Sequence, residues 1–226
     1  MSPLLPAVPT APIDSTGPTE PTVPTDQETP VRRIVLYAIT SLDGAVDDPT
    51  RSFPPDVDPD EPQPPTFDDG LIEREAALIA RQDAVLLGRH MYDVWSGYWP
   101  TSDEQPFADF INGVKKYVVT STPLTTEWGD SEAVSGPLPD LVRDLKARPG
   151  GDIGVHGSIE LARSLLAEGL VDELHLAVAP VLDPQGRRLF DGLSELQRLT
   201  LVSATPTPTG ALWLVYRPRR EEPSTR

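Results

Sequence analysis

Residues Asp152–Val181 read DIGVHGSIELARSLLAEGLVDELHLAVAPV, and their punctuation decides the fold. DIGVHG (Asp152–Gly157) is a short apolar strand that stops at a glycine. In SIELARSLLAEGL, Ile159, Ala162, Leu165 and Leu166 share one helical face, and Gly169 stands where a left-handed cap is wanted. DELHLAVAPV (Asp172–Val181) is a second strand, apolar enough to be buried on both faces. Two such strands joined through a helix form a parallel crossover unit.

The pattern extends outward in both directions. RRIVLYAIT (Arg32–Thr40), AVLLG (Ala84–Gly88) and KKYVVTS (Lys115–Ser121) read as strands. Phe67–Arg81 and PLPDLVRDLKAR (Pro137–Arg148) read as helices, and a short helix is expected after Gly88. Downstream, LQRLTLVSATP and ALWLVYRP (Ala211–Pro218) are two more strands, antiparallel about TPTPTG. The expected class is α/β: a three-layer α/β/α sandwich around a mixed, mostly parallel central sheet.

Length and composition set the limits. At 226 residues the chain suits one domain, assigned to residues 31–218. Met1–Pro30 is dominated by Pro, Thr, Asp and Glu and reads as a disordered tail, and residues 219–226 form a C-terminal tail. Asp47–Asp69 is Pro-rich and more acidic still, either a flexible insertion or a lid. A formal charge of −16 argues against nucleic acid and against an anionic membrane surface as partners. With no cysteine and three histidines, no metal site is expected. MSPLLPAVPTAP lacks the basic and apolar segments of a signal peptide, so a soluble, cytoplasmic protein acting on a small molecule is the expectation.

In parallel sheets ligands bind beyond the carboxyl ends of the strands, where helix N-termini present free N–H groups. Three junctions there carry suitable residues: LLGRHMY, VVTST and GVHGSIE. Glycines permit close approach of a phosphate, hydroxyls add donors, and Arg89 can clamp an anion bidentately. Each has a plainer reading: an ordinary turn with a solvated arginine, a common loop, and a glycine turn with a serine cap. His156 reads more readily as a packed, hydrogen-bonded residue than as an acid. Neither G-x-G-x-x-G nor a P-loop pattern is present.

Five pieces in register resemble the dihydrofolate reductase superfamily, in particular the reductase domain of the bifunctional riboflavin-biosynthesis deaminase-reductase: SLDG (Ser41–Gly44), LLGRHMY (Leu86–Tyr92), YVVTST (Tyr117–Thr122), GVHGSIELARSLL (Gly154–Leu166) and GLVDELHLAVAPV (Gly169–Val181) with RRLF (Arg187–Phe190) behind it. The resemblance implies a dihydrofolate-reductase-like fold and an NADPH site. That site would comprise Ala38; Gly88, Arg89, His90 and Met91; Thr120, Ser121 and Thr122; and His156, Gly157, Ser158 and Ile159. It places SLDG near the nicotinamide and substrate, which makes Asp43 the candidate acid, its pKa raised by burial beside the cofactor ring. The implied activity is NADPH-dependent reduction of a small heterocyclic, imine or carbonyl substrate, similar to that of the riboflavin-pathway pyrimidine reductase. The alternative is a relative that binds a nucleotide or small ligand without turnover. Relatives are often homodimers, and the antiparallel C-terminal strands could serve as the interface.

The sequence departs from the pattern in three places. His156 precedes Gly157 where riboflavin-pathway domains usually carry two glycines. LDPQG (Leu182–Gly186) replaces a G-x-G. Val114, Lys115 and Lys116 stand where folate reductases place an arginine.

Overall fold

A computed structural model describes residues 32–54 and 67–219. The expectations for the two tails and for residues 55–66 lie outside the described residues.

The elements run β1 (Ile34–Ser41), α1 (Pro49–Ser52), α2 (Asp69–Ile79), β2 (Gln82–Gly88), α3 (Arg89–Tyr98), a 3-10 turn (Trp99–Thr101), α4 (Phe107–Gly113), β3 (Lys115–Val119), β4 (Ser131–Val134), α5 (Leu138–Lys146), β5 (Asp152–His156), α6 (Ile159–Ala167), β6 (Glu173–Ala179), β7 (Leu199–Pro206) and β8 (Leu212–Pro218). The eight strands form one sheet in the order β4-β3-β2-β5-β1-β6-β8-β7. The first six are parallel neighbour to neighbour, and β8 runs antiparallel to both β6 and β7. The mixed, mostly parallel sheet expected from the sequence is present.

Alternation along β1 divides the core. Ile34 and Leu36 face α5 and α6, packing with Val142, Leu145, Leu161 and Leu165. Val35 and Tyr37 face α2, with Leu71, Leu78 and Trp213. Farther along that second face, Val85, Leu87 and Val118 meet Tyr92, Trp99, Phe107 and Ile111 of the α3–α4 region. β5 and β6 are buried along their whole length, as the continuous apolar runs require.

α6 ends as its sequence predicts. Gly169 has φ +65°, its N–H donates to the Leu166 carbonyl at 3.0 Å, and the Leu170 N–H donates to the Leu165 carbonyl at 2.9 Å, the paired bonds of a Schellman cap.

Three features differ from expectation. The start of the acidic segment is ordered: Asp48 caps α1, Arg51 pairs with Asp183 at 2.6 Å, and Phe53 is buried against Phe67. One aromatic anchor outweighs the local proline content. β4 was not anticipated, because SEAV is an edge strand without a buried face and so carries no alternation signal. α4 was not anticipated either, though Phe107, Ala108 and Ile111 form its buried stripe. Among the described residues, no helix is long and apolar enough to cross a membrane.

Candidate functional site

β3, β2 and β5 lie side by side and end at Val119, Gly88 and His156. α3 begins immediately after β2, and α6 two residues after β5, so two helix N-termini open at the same edge of the sheet. A single bond joins them: the Gly88 N–H donates to the Ser158 hydroxyl at 2.9 Å. Ser158 therefore does not cap its own helix, and no side chain caps α3 or α6. Their first-turn N–H groups therefore have no side-chain acceptor at the helix starts. The serine-cap reading of HGS is thus corrected, since the hydroxyl is spent across the junction.

Gly157 is a glycine for two reasons. Its φ is +63°, and a β-carbon there would sit 2.5 Å from the Trp95 ring and 3.3 Å from the Met91 sulfur. Arg89 lies over the loop that follows β3. Its Nε donates to both Asp93 carboxylate oxygens (2.8 and 2.9 Å), and its Nη1 donates to the Thr122 hydroxyl and the Pro123 carbonyl, both at 2.8 Å. Thr120 closes that loop by accepting from the Thr122 N–H at 3.1 Å. Gly88, Arg89, Met91, Thr120, Thr122, Gly157 and Ser158 are thereby brought into one contiguous set of contacts. His90 and Ser121 are exposed beside it, Ala38 is half-buried on β1, and Ile159 is buried at the start of α6.

His156 takes no part through its side chain. The ring is 2 % exposed, Nε2 bonds the Gln82 side-chain oxygen at 2.8 Å, and Tyr37, Phe107 and Phe110 meet it edge-on. Burial drives its pKa down to about 3, so it is a neutral packed histidine.

Asp43 reverses the expectation for an acid. The Asp183 N–H (2.8 Å), the Ser41 hydroxyl (2.7 Å) and the Arg188 guanidinium (2.7 Å) all donate to its carboxylate and hold its pKa at about 2. It stays ionised and ties the SLDG turn to the loop after β6. Lys115 pairs with Asp130 and Glu132. Lys116 is fully buried, bonded to the Val114 carbonyl and set 4.6 Å from the Trp128 ring, and burial lowers its pKa to about 8.

The sequence reading passed over Asp93, Trp95, Gln82, Tyr37 and Glu75. Two of these left a signal. Asp93 stands four residues after Arg89, the spacing of a helical ion pair. Glu75 interrupts the apolar stripe of Leu71 and Leu78 on α2 and is only 7 % exposed, and burial pushes its carboxyl up to about 7.

Residues 32–213 match the family model described as the RibD C-terminal domain. A curated relative, uncharacterized protein YyaP of Bacillus subtilis, is 29% identical over 140 residues, spanning 59% of this chain and 73% of that one. Among solved structures, a putative riboflavin biosynthesis protein from Shewanella superposes with a TM-score of 0.64 at 21% identity, over 83% of this chain and 99% of that chain. Dihydrofolate reductase from Enterococcus faecalis, in complex with NADP(H), superposes with a TM-score of 0.52 at 11% identity, over 83% and 97% of the two chains. The fold is dihydrofolate-reductase-like.

Proposed function

The chain belongs to the RibD C-terminal domain family, and on that premise we propose that it is a nicotinamide-dependent reductase, with NADPH as preferred cofactor, acting on a C=N or C=O bond of a small heterocyclic, imine or carbonyl substrate. The observation that carries this reading is the joined pair of uncapped helix N-termini at Gly88 and Ser158, with Arg89 beside them. Its donors fit a dinucleotide. First-turn N–H groups of α3 and α6 suit a pyrophosphate, and Gly157 leaves the approach clear of a side chain. Thr120, Ser121 and Thr122 line the loop on the Arg89 side. Asp93 and Thr122 take Nε and Nη1 of Arg89, leaving Nη2 for a 2′-phosphate. A bound nicotinamide supplies hydride; the protein supplies position and charge.

The test is a fluorescence titration with NADPH and NADH. Tighter binding of NADPH is expected, with the preference erased in Arg89→Ala. Equal affinities in the wild type would contradict the role given to Arg89. One observation favours a second reading, binding without turnover: Asp43 is ionised and His156 is neutral and packed, so neither donates a proton. A screen of imines and carbonyls for NADPH oxidation separates the two.

A further inference from the structure

The chain has no cysteine and two methionines, Met1 and Met91. Met91 belongs to the first turn of α3. Helical side chains lean toward the N-terminus of their own helix, and here that lean carries the sulfur across to the turn that opens α6. A β-carbon on Gly157 would lie 3.3 Å from the Met91 sulfur and 2.5 Å from the Trp95 ring, so sulfur and ring share the space over that glycine. Gly157 is exposed and Met91 partly so, and the place where they meet borders solvent.

Two helix starts meet at this place. The Gly88 N–H and the Ser158 hydroxyl join them, and neither α3 nor α6 has a side-chain cap. A thioether is only a weak hydrogen-bond acceptor, so the reduced Met91 leaves the first-turn N–H groups uncontested and packs as an apolar, polarisable side chain beside Trp95. A sulfoxide is polar instead. Its oxygen carries partial negative charge and accepts strongly, which is what the positive end of a helix attracts. With no thiol in the chain to intercept an oxidant, the thioether at this junction is the sulfur that a peroxide meets in the described residues.

We propose that Met91 is a modification site through which a hydroperoxide shuts off cofactor binding: the oxygen added to its sulfur takes the first-turn N–H groups that a dinucleotide pyrophosphate needs. This rests on the reductase reading, because the site it closes is the one given there to the cofactor. The step balances. The sulfur lone pair attacks one oxygen of hydrogen peroxide, an S–O bond forms as the O–O bond breaks, and the sulfur is oxidised by two electrons. The displaced hydroxide takes the proton of the transferred hydroxyl and leaves as water. The exclusion is mutual, since a bound dinucleotide covers the sulfur.

The full-length protein is treated with dilute hydrogen peroxide, with and without saturating NADP+, then freed of peroxide and titrated with NADPH. Fragment mass spectra show whether the added oxygen sits on Met91 or on Trp95. Met91 should take up one oxygen, severalfold more slowly with NADP+ bound. The oxidised protein should bind NADPH about tenfold more weakly, without a lower thermal unfolding midpoint. Met91→Leu, whatever its starting affinity, should bind equally before and after treatment. A Met91 that resists peroxide overturns the proposal, as does an oxidised protein that binds like the untreated one. A loss shared by Met91→Leu puts the lesion elsewhere, and a loss accompanied by a lower midpoint marks disrupted packing in place of competition; either overturns it too. Should Met91→Leu fail to fold, the match between the fraction of Met91 oxidised and the fraction of high-affinity binding lost decides. If the untreated protein binds NADPH and the oxidised protein binds it equally, only the Met91 site falls; if the untreated protein binds none, the reductase reading falls and the site with it.

Discussion

At the starts of the central strands, ionic partners meet their opposites. Glu173, opening β6, accepts from Arg33 (3.1 Å), Arg81 (3.3 Å), Arg217 (3.0 Å) and His175 (2.7 Å), and Asp152, opening β5, accepts from Arg33 at 2.7 Å. The ends of β2 and β5 are arranged the other way, for two helices begin there without side-chain caps. A saturated network contributes to stability, whereas uncapped helix starts keep N–H donors available.

Cutting the saturated region should produce the largest effect. Glu173→Ala strands the buried His175 and removes the shared acceptor of three arginines, and should cost about 3 kcal/mol of unfolding free energy. Urea denaturation measures it, and NADPH affinity should be unchanged. A comparable loss of NADPH binding would mean that the two regions are not separate.

pH sharpens the contrast, because the buried carboxyls are shifted in opposite directions. Burial raises the Glu173 pKa, but bonds from His175 and Arg217 and the charge of Arg33 more than offset it and bring the value to about 2 from an ordinary 4.5. Its stabilisation is full above pH 4.5 and is lost as pH falls toward 2. Glu75 is raised from 4.5 to about 7, so its contribution is full below pH 4.5 and disappears as pH rises through 7. At pH 8 and above, Glu75→Gln should therefore be more stable than wild type by about 2 kcal/mol, with little difference near pH 4. Thermal unfolding of both proteins across this range checks the sign.

Smaller effects are expected at the mouth of the site. Asp93→Asn frees Arg89 of its carboxylate and should tighten 2′,5′-ADP severalfold, by about 1 kcal/mol, while 5′-AMP is unaffected. Calorimetry with the two nucleotides reads the difference. Ser158→Ala removes the acceptor of the Gly88 N–H and should cost about 1 kcal/mol in stability, with a matching loss of NADPH affinity.

How much of this the sequence disclosed depended on distance along the chain. The crossover at Asp152–Val181 was legible because a buried strand, an amphipathic helix and a glycine cap are local signals. So were the three glycine and hydroxyl junctions. Asp43 was misread because the groups that hold it ionised, Asp183 and Arg188, lie 140 and 145 residues away. The adjacency of His156, Tyr37 and His175 exists only through the register of β5, β1 and β6, which no local pattern encodes. Glu75 was accessible in principle, as a carboxylate in the middle of an apolar stripe. β4 offered little to read, since it has no fully buried residue and so no alternation.

The central claim, that the open region at the strand ends receives the cofactor, is tested most directly by amide hydrogen exchange with and without NADPH. Protection is expected in the first turns of α3 (Arg89–Met91) and α6 (Ile159–Leu161) and in the Thr120–Thr122 loop, with no change around Arg33, Asp152 and Glu173. Unchanged exchange in both first turns at saturating NADPH, or protection confined to the ionic region, would contradict it.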